Sequence, residues 1–109
     1  MGDVARTILL LEDDCAISRL LCSVLQRQGY TVLVAFNGAE AIRIAQLHKR
    51  AVDLLLSDVM LRDETAASVV AGLRELCPEA RVLFLSGFNL EDLLQRGLLD
   101  RDQIGRAHV

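Results

Sequence analysis

Acidic or hydroxyl side chains directly follow three of the short apolar segments of this chain. These residues are Glu12, Asp13, Asp14, Asp58 and Ser86. Carboxylates packed together repel one another unless a cation lies between them. Oxygen ligands suit Mg²⁺, which keeps several waters and bonds one or two carboxylates together with a phosphate. If the three segments lie side by side, these residue types predict a Mg²⁺-assisted phosphoryl site.

The elements that must position these side chains alternate along the chain. Apolar, often β-branched segments predict strands at 8–11, 31–35, 52–57 and 81–85. Apolar residues at helical spacing predict helices at 16–28, 39–47, 66–76 and 91–96. Strands alternating with helices indicate an α/β fold, in which a parallel sheet has helices on both faces. Ligands of such sheets bind outside the carboxyl ends of the strands, where the acidic residues are expected.

Each of these residues also has a purely structural interpretation. Asp13 or Asp14 could cap the helix that is predicted to begin at residue 16. Asp58 could be a turn residue, and Ser86 could belong to a simple turn. The functional interpretation is favoured because all of these residues follow strands at the same end of the predicted sheet.

Composition argues against several other classes of protein. The 109 residues are 52% hydrophobic and 25% charged, which is typical of one globular domain with its own core. Twelve basic against 15 acidic residues give a net charge of -3, without the basic surface that nucleic acids require. No apolar segment approaches the roughly 20 residues that span a bilayer, and no signal-peptide core is present. We therefore expect a soluble, cytoplasmic domain that contacts neither nucleic acid nor membrane.

Motifs of other active sites are absent from the sequence. It contains no G-x-G-x-x-G after a strand, no P-loop and no G-x-S-x-G, and no His is placed to serve a hydrolase triad. A Toprim-type metal nuclease needs Asp-x-Asp after a strand, whereas Met60 is the second residue after Asp58. The cysteines match no CxxC or zinc pattern, so they are expected to be buried, reduced thiols; they are Cys15, Cys22 and Cys77, of which Cys15 is set apart because it directly follows the acidic cluster.

Three segments together resemble the receiver domain of two-component response regulators. They are ILLLEDD at 8–14, DLLLSDVML at 53–61 and VLFLSGF at 82–88, and their spacing fits the family over residues 6–102. The resemblance implies a flavodoxin-like, doubly wound parallel sheet, with strand order 2-1-3-4 for the strands found here. The residues after Ser86 are similar to those of receivers at the C-terminus of hybrid sensor histidine kinases.

The resemblance also implies a role for each site residue. Asp58 would be the phosphoacceptor, a nucleophile for the phosphohistidine of a histidine kinase or His-phosphotransfer partner. Asp13 would bind Mg²⁺ directly and Glu12 through water, with Asp58 and the backbone carbonyl of Met60 as further ligands. The hydroxyl of Ser86 would hydrogen-bond the phosphoryl group. Such a domain is a conformational switch, and no turnover of a small molecule is expected.

The end of the sequence departs from the family pattern. The family continues with a fifth strand, a Lys that pairs with the phosphoryl group, and a fifth helix, whereas no Lys follows Lys49 here. Residues 104–109 match one reading frame of a widely used sequencing adapter. We therefore expect a receiver domain over 1–103 that lacks its fifth βα unit, followed by a non-native, adapter-encoded tail at 104–109.

Two alternatives to a phosphorylated receiver are left open by the sequence. The missing Lys favours a degenerate receiver that acts only as a protein-interaction module, although the complete set of acidic and hydroxyl residues argues against it. A Mg²⁺-dependent, phosphatase-like enzyme would use the same carboxylates on a small substrate. For a phosphorylated receiver, the sequence also leaves open a phosphorylation-dependent dimer through the fourth helical region.

Overall fold

The computed structural model describes residues 6–48, 51–58 and 66–85, with Asp58 and Ala66 described by their backbone. Strands and helices alternate throughout these residues, as predicted. The strands are β1 Thr7–Leu11, β2 Thr31–Ala35, β3 Leu54–Asp58 and β4 Arg81–Leu85. The helices are α1 Cys15–Arg27, α2 Gly38–His48 and α3 Ala66–Leu76.

The strands form one parallel sheet in the order β2-β1-β3-β4. β1 lies between β2 and β3, so that Leu10 pairs with Val34 on one side and with Leu56 on the other. The predicted α/β class and strand order are therefore confirmed. The predicted fourth helix at 91–96, the position of a fifth βα unit and residues 104–109 lie outside the described residues.

Each face of the sheet has its own apolar core, because successive strand residues point to opposite faces. Leu9 and Leu11 belong to the cluster that includes α2 and α3, whose buried members include Ala41, Ala45 and Leu73. Ile8 and Leu10 belong to the opposite cluster, in which α1 contributes Leu21 and Leu25. The strands are thus buried on both faces, which explains their almost continuous apolar sequence.

β3 begins later than the sequence predicted, at Leu54 and not at residue 52. The side chain of Asp53 accepts a hydrogen bond from the backbone N–H of Thr7, with Oδ2 at 2.8 Å from the nitrogen. The Asp53 carboxylate therefore accepts the hydrogen bond of the first backbone N–H of β1, in place of a backbone carbonyl of the neighbouring strand. At its other end β3 includes Asp58, which was predicted to follow the strand.

The helix ends are determined by local hydrogen bonds. α1 is followed by Gly29, whose positive φ of 96° favours glycine and ends the helix. α2 begins at Gly38, one residue earlier than predicted, because Asn37 Oδ1 accepts from the N–H of Glu40 at 2.8 Å. Glu40 Oε1 in turn accepts from the N–H of Phe36 at 2.9 Å, so that its side chain bonds the backbone just before the cap.

The cysteines are free thiols, as expected, but the expected burial holds for Cys77 alone, since Cys22 is partly exposed and Cys15 is exposed. Within the described residues, no helix has both the length and the apolar character needed to cross a membrane.

Candidate functional site

The carboxyl ends of β1, β3 and β4 lie next to one another at one edge of the sheet. Leu11 pairs with Ser57, so the residues that follow them, Glu12 and Asp58, come at the same level of neighbouring strands. Asp58 is the last residue of β3 and pairs with Leu85, the last residue of β4. The backbone therefore brings together the three segments that were predicted to form one site.

Glu12 is a buried carboxylate just beyond the end of β1. Only 3% of the residue is exposed, and its backbone N–H donates to the carbonyl of Ala35 at 3.0 Å. Its Oε2 accepts from the backbone N–H of Asp14 at 3.2 Å. A buried carboxylate is costly unless hydrogen bonds or a cation compensate the lost hydration. Its burial at this edge is therefore physically consistent with a nearby cation.

The two acids that follow Glu12 have different surroundings. Asp14 is the N-cap of α1, with Oδ1 accepting from the N–H of Ile17 at 3.0 Å and its carbonyl accepting from Ser18 at 2.9 Å. Of the two caps that the sequence allowed, the structure therefore selects Asp14. Asp13 is partly buried and lies between this cap and Glu12.

The donors of this edge fit a hydrated Mg²⁺ ion. Glu12 and Asp13 supply carboxylate oxygens, the ligand type that Mg²⁺ prefers. Among the described side chains, no three acidic, His or Cys groups gather around one point as a metal-binding cluster. Mg²⁺ does not need such a cage, because it keeps several waters and usually bonds one or two carboxylates.

Other predicted site residues lie outside the described part of the chain. These are Met60 and Ser86. Conversely, the sequence analysis missed Ser57, a hydroxyl residue that is 1% exposed and precedes Asp58 directly. The available signal was a single polar residue inside an otherwise apolar strand. Its hydroxyl has a partner in the fold, as buried polar groups require.

A titratable side chain with a shifted pKa lies away from this edge. Burial raises the pKa of the Cys77 thiol, which follows α3 in the apolar cluster of α2 and α3. A thiol of this kind stays protonated at neutral pH and is unreactive. Cys77 is therefore a core residue, as the sequence analysis expected for the cysteines.

Comparison with known proteins agrees with this geometry. The model of the response regulator receiver domain matches residues 8–101. The chain is 37% identical over 102 residues to the uncharacterized transcriptional regulatory protein YbdJ of Bacillus subtilis. That match covers 94% of this chain but 42% of the Bacillus protein, so the chain spans less than half of this relative's length.

Two solved structures share the fold. The receiver domain of the hybrid histidine kinase CckA has a TM-score of 0.71 and 28% identity, covering 92% of this chain and 93% of that one. A response regulator from Burkholderia pseudomallei, with a phosphorylated aspartic acid, a calcium ion and citrate, has a TM-score of 0.70. It is 32% identical and covers 75% of this chain and 47% of its own. With the family match, the strand order and the acidic edge all in agreement, the chain belongs to the response regulator receiver domain family.

Proposed function

We propose that this receiver domain accepts a phosphoryl group on Asp58 from the phosphohistidine of a histidine kinase or His-phosphotransfer partner. The observation that supports this most directly is the register of β1 and β3. Leu11 pairs with Ser57, and so Glu12, the first residue of the Glu12–Asp13 pair, comes level with Asp58 on the neighbouring strand. The Burkholderia pseudomallei neighbour contains a phosphorylated aspartic acid and a calcium ion, which supports both an acceptor aspartate and a divalent cation.

The transfer is a displacement at phosphorus. A carboxylate oxygen of Asp58 forms the new O–P bond, the N–P bond breaks, and the electron pair stays on the imidazole nitrogen of the donor. Such transfers depend on alignment and on neutralising charge more than on covalent work by the protein. Glu12 and Asp13 bind the cation in this proposal, Asp13 directly and Glu12 through water.

Bound Mg²⁺ would offset the negative charge of the carboxylates and the phosphoryl oxygens. The backbone carbonyl of Met60 and the carboxylate of Asp58 complete the protein ligands. The Ser86 hydroxyl hydrogen-bonds the phosphoryl group and links it to the segment after β4. The acyl phosphate thereby changes the balance between two conformations of the domain.

The proposal extends to where and how the domain acts. It works in the cytoplasm, where reduced cysteines are stable and kinase partners have access to ATP. It signals by binding partners, or by pairing with a second copy when phosphorylated, and it does not turn over a small molecule. Its one chemical reaction besides uptake is the hydrolysis of its own acyl phosphate.

The test is phosphoryl uptake from acetyl phosphate, followed by intact-mass spectrometry on the full chain. We expect one phosphoryl group per chain, in the presence of Mg²⁺ and not with excess chelator. The Asp58→Asn variant, which keeps the shape of the side chain without its nucleophile, should gain none. Circular dichroism of both proteins verifies that they are folded.

The same experiment separates the proposal from its competitors. A folded wild-type chain that gains no phosphoryl group would favour a receiver that acts only through protein contacts. Phosphoryl uptake that persists in the Asp58→Asn variant would show that another residue is the acceptor. Sustained release of phosphate from aryl phosphates, lost in Asp58→Asn, would indicate a phosphatase-like enzyme.

A further inference from the structure

We infer that Asp14 is a positioning residue for the metal site: by capping α1 it fixes the carboxylate of Glu12 in a metal-binding orientation. The inference rests on the proposed Mg²⁺ site and assigns no metal bond to Asp14 itself. It concerns the residue that the sequence could not separate from its acidic neighbours.

Asp14 is hydrogen-bonded in two directions. Its backbone N–H donates to Glu12 Oε2 at 3.2 Å, while its side-chain Oδ1 accepts from the N–H of Ile17 at 3.0 Å. Its carbonyl accepts from the N–H of Ser18 at 2.9 Å, and its φ of -88° and ψ of 116° are those of an N-cap. The N–H that faces Glu12 is therefore held in place by the first turn of α1.

α1 is a firm support for this arrangement. Ser18 is 2% exposed, and Leu21 and Leu25 of the same helix are buried against the sheet. Glu12 is attached to the sheet through its own N–H, which donates to Ala35 of β2. The Glu12 side chain thus spans the gap between the sheet and α1, and Asp14 is its described contact on the helix side.

Orientation of a ligand has a measurable effect on metal affinity. A free Glu side chain samples several rotamers, and a site that orders it beforehand loses less entropy on binding. Groups that hydrogen-bond the ligands of a metal typically change its affinity about 10- to 100-fold when they are removed. Loss of the Asp14 cap releases the N–H that faces Glu12. Because Glu12 holds the ion through water in the proposed site, the affinity for Mg²⁺ should fall by the lower end of that range, about tenfold.

A competing explanation is that the negative charge of Asp14 attracts the cation directly. Asp14→Asn distinguishes the two, because Asn caps helices about as well as Asp but is neutral. If Asp14 acts through the cap, Asp14→Asn retains the wild-type affinity. If it acts through charge, Asp14→Asn loses affinity as Asp14→Ala does.

The chain also offers a matched control for general destabilisation. Asn37 caps α2 by the same geometry, since its Oδ1 accepts from the N–H of Glu40 at 2.8 Å and its carbonyl from Ala41 at 3.0 Å. Asn37→Ala therefore removes a comparable cap at the start of a different helix. A loss of affinity caused only by lower stability would appear in both alanine variants.

The experiment is a titration of the full chain with MgCl₂, followed by backbone amide NMR shifts in the absence of any phosphoryl donor. We expect Asp14→Ala to raise the Kd for Mg²⁺ about tenfold, while Asp14→Asn and Asn37→Ala keep the wild-type Kd. Thermal unfolding should show similar losses of stability in the two alanine variants. If Asp14→Ala does not fold, Asp14→Gly replaces it, because glycine at an N-cap removes the acceptor with little loss of stability.

Each outcome has one meaning. An unchanged Kd in the folded Asp14→Ala or Asp14→Gly variant overturns the inference, as does an equal loss in Asp14→Asn or in Asn37→Ala. A wild-type chain whose amides do not respond to MgCl₂ overturns the proposed metal site, and the inference with it. A wild-type response together with normal binding by Asp14→Ala overturns the inference alone.

Discussion

Asp53 offers a sharp test of how the strands are held together at the amino ends of the sheet. Its Oδ2 accepts from the backbone N–H of Thr7 at 2.8 Å, and Arg6 Nη1 lies 4.0 Å from its Oδ1. Its backbone bonds β1 and β4 as well, since its N–H donates to the carbonyl of Thr7 and its carbonyl accepts from Arg81. Substitution of the side chain leaves these backbone bonds in place, so the measured loss reports on the carboxylate alone.

The expected magnitude follows from the two contacts of the carboxylate. Loss of an acceptor for a partly buried N–H costs about 1–3 kcal/mol, whereas an exposed ion pair contributes roughly 0–1 kcal/mol. The Arg6–Asp53 pair is of the exposed kind, with side chains 46% and 36% accessible. Asp53→Ala should therefore lower the free energy of unfolding by about 2 kcal/mol. Asp53→Asn keeps an acceptor for Thr7 and should lower it by about 0.5 kcal/mol.

Urea unfolding, monitored by far-ultraviolet circular dichroism, measures both losses. Arg6→Ala is the control for the ion pair and should resemble Asp53→Asn, with an effect that disappears at high salt. Equal losses in Asp53→Ala and Asp53→Asn would refute the argument, because they would assign the stabilisation to charge and not to the hydrogen bond. A loss in Asp53→Ala that vanishes at high salt would refute it in the same way.

Three further predictions concern the helices and the core. Gly72→Ala should raise the free energy of unfolding by roughly 0.5 kcal/mol, because a gain in helix propensity of about 1 kcal/mol is partly offset by a new contact. The added Cβ would lie 3.3 Å from the flexible end of the Ile42 side chain. A lower thermal midpoint in the variant would contradict this prediction. Leu10→Ala, at a fully buried position of the central strand, should lower the free energy of unfolding by about 2–5 kcal/mol, which a lower urea midpoint would show. Burial raises the pKa of Cys77, so at pH 8 iodoacetamide should label exposed Cys15 and spare Cys77 until urea unfolds the chain, which peptide mass mapping can verify. Since that pKa is higher in the folded state, the stability seen at neutral pH falls as pH rises past the ordinary pKa of a thiol, where the unfolded chain ionises more readily than the folded one.

Much of the fold could be predicted because its determinants are local and repeated. Buried parallel strands give continuous apolar segments such as Leu54-Leu55-Leu56, and the helices between them show clear periodicity. The alternation then leaves few topologies, since crossovers between parallel strands are right-handed and short. The same regularities place the acidic residues at the carboxyl edge of the sheet.

The predicted first residues of β3 and α2 were wrong, because in both places a side chain accepts a hydrogen bond that a backbone carbonyl would otherwise accept. β3 was predicted to begin at residue 52, but the carboxylate of Asp53 accepts a hydrogen bond from the N–H of Thr7, and the regular strand starts at Leu54. α2 was predicted from residue 39, whereas the Asn37 cap begins it at Gly38. The sequence carries this signal as an Asn two residues before the predicted start.

The assignment of Asp13 and Asp14 shows a different limit. Both are short acids after a strand, and either satisfies the sequence rules for an N-cap. The choice depends on which residue has extended backbone angles and an N–H three residues ahead within reach. That is a property of how α1 approaches the sheet, which is decided by the packing of Leu21 and Leu25 and not by the acids themselves.

Asp53 and Asp58 show why residue type alone does not define this site. They flank the same buried segment, Leu54-Leu55-Leu56-Ser57, and the sequence gives no chemical difference between them. Asp53 lies at the amino end of β3, where its carboxylate bonds a backbone N–H of β1, while Asp58 ends the strand beside the acids that follow β1. The direction of the strand therefore separates a structural carboxylate from the proposed acceptor. It follows that Asp53→Asn should leave both phosphoryl uptake and Mg²⁺ affinity unchanged, while Asp58→Asn abolishes uptake.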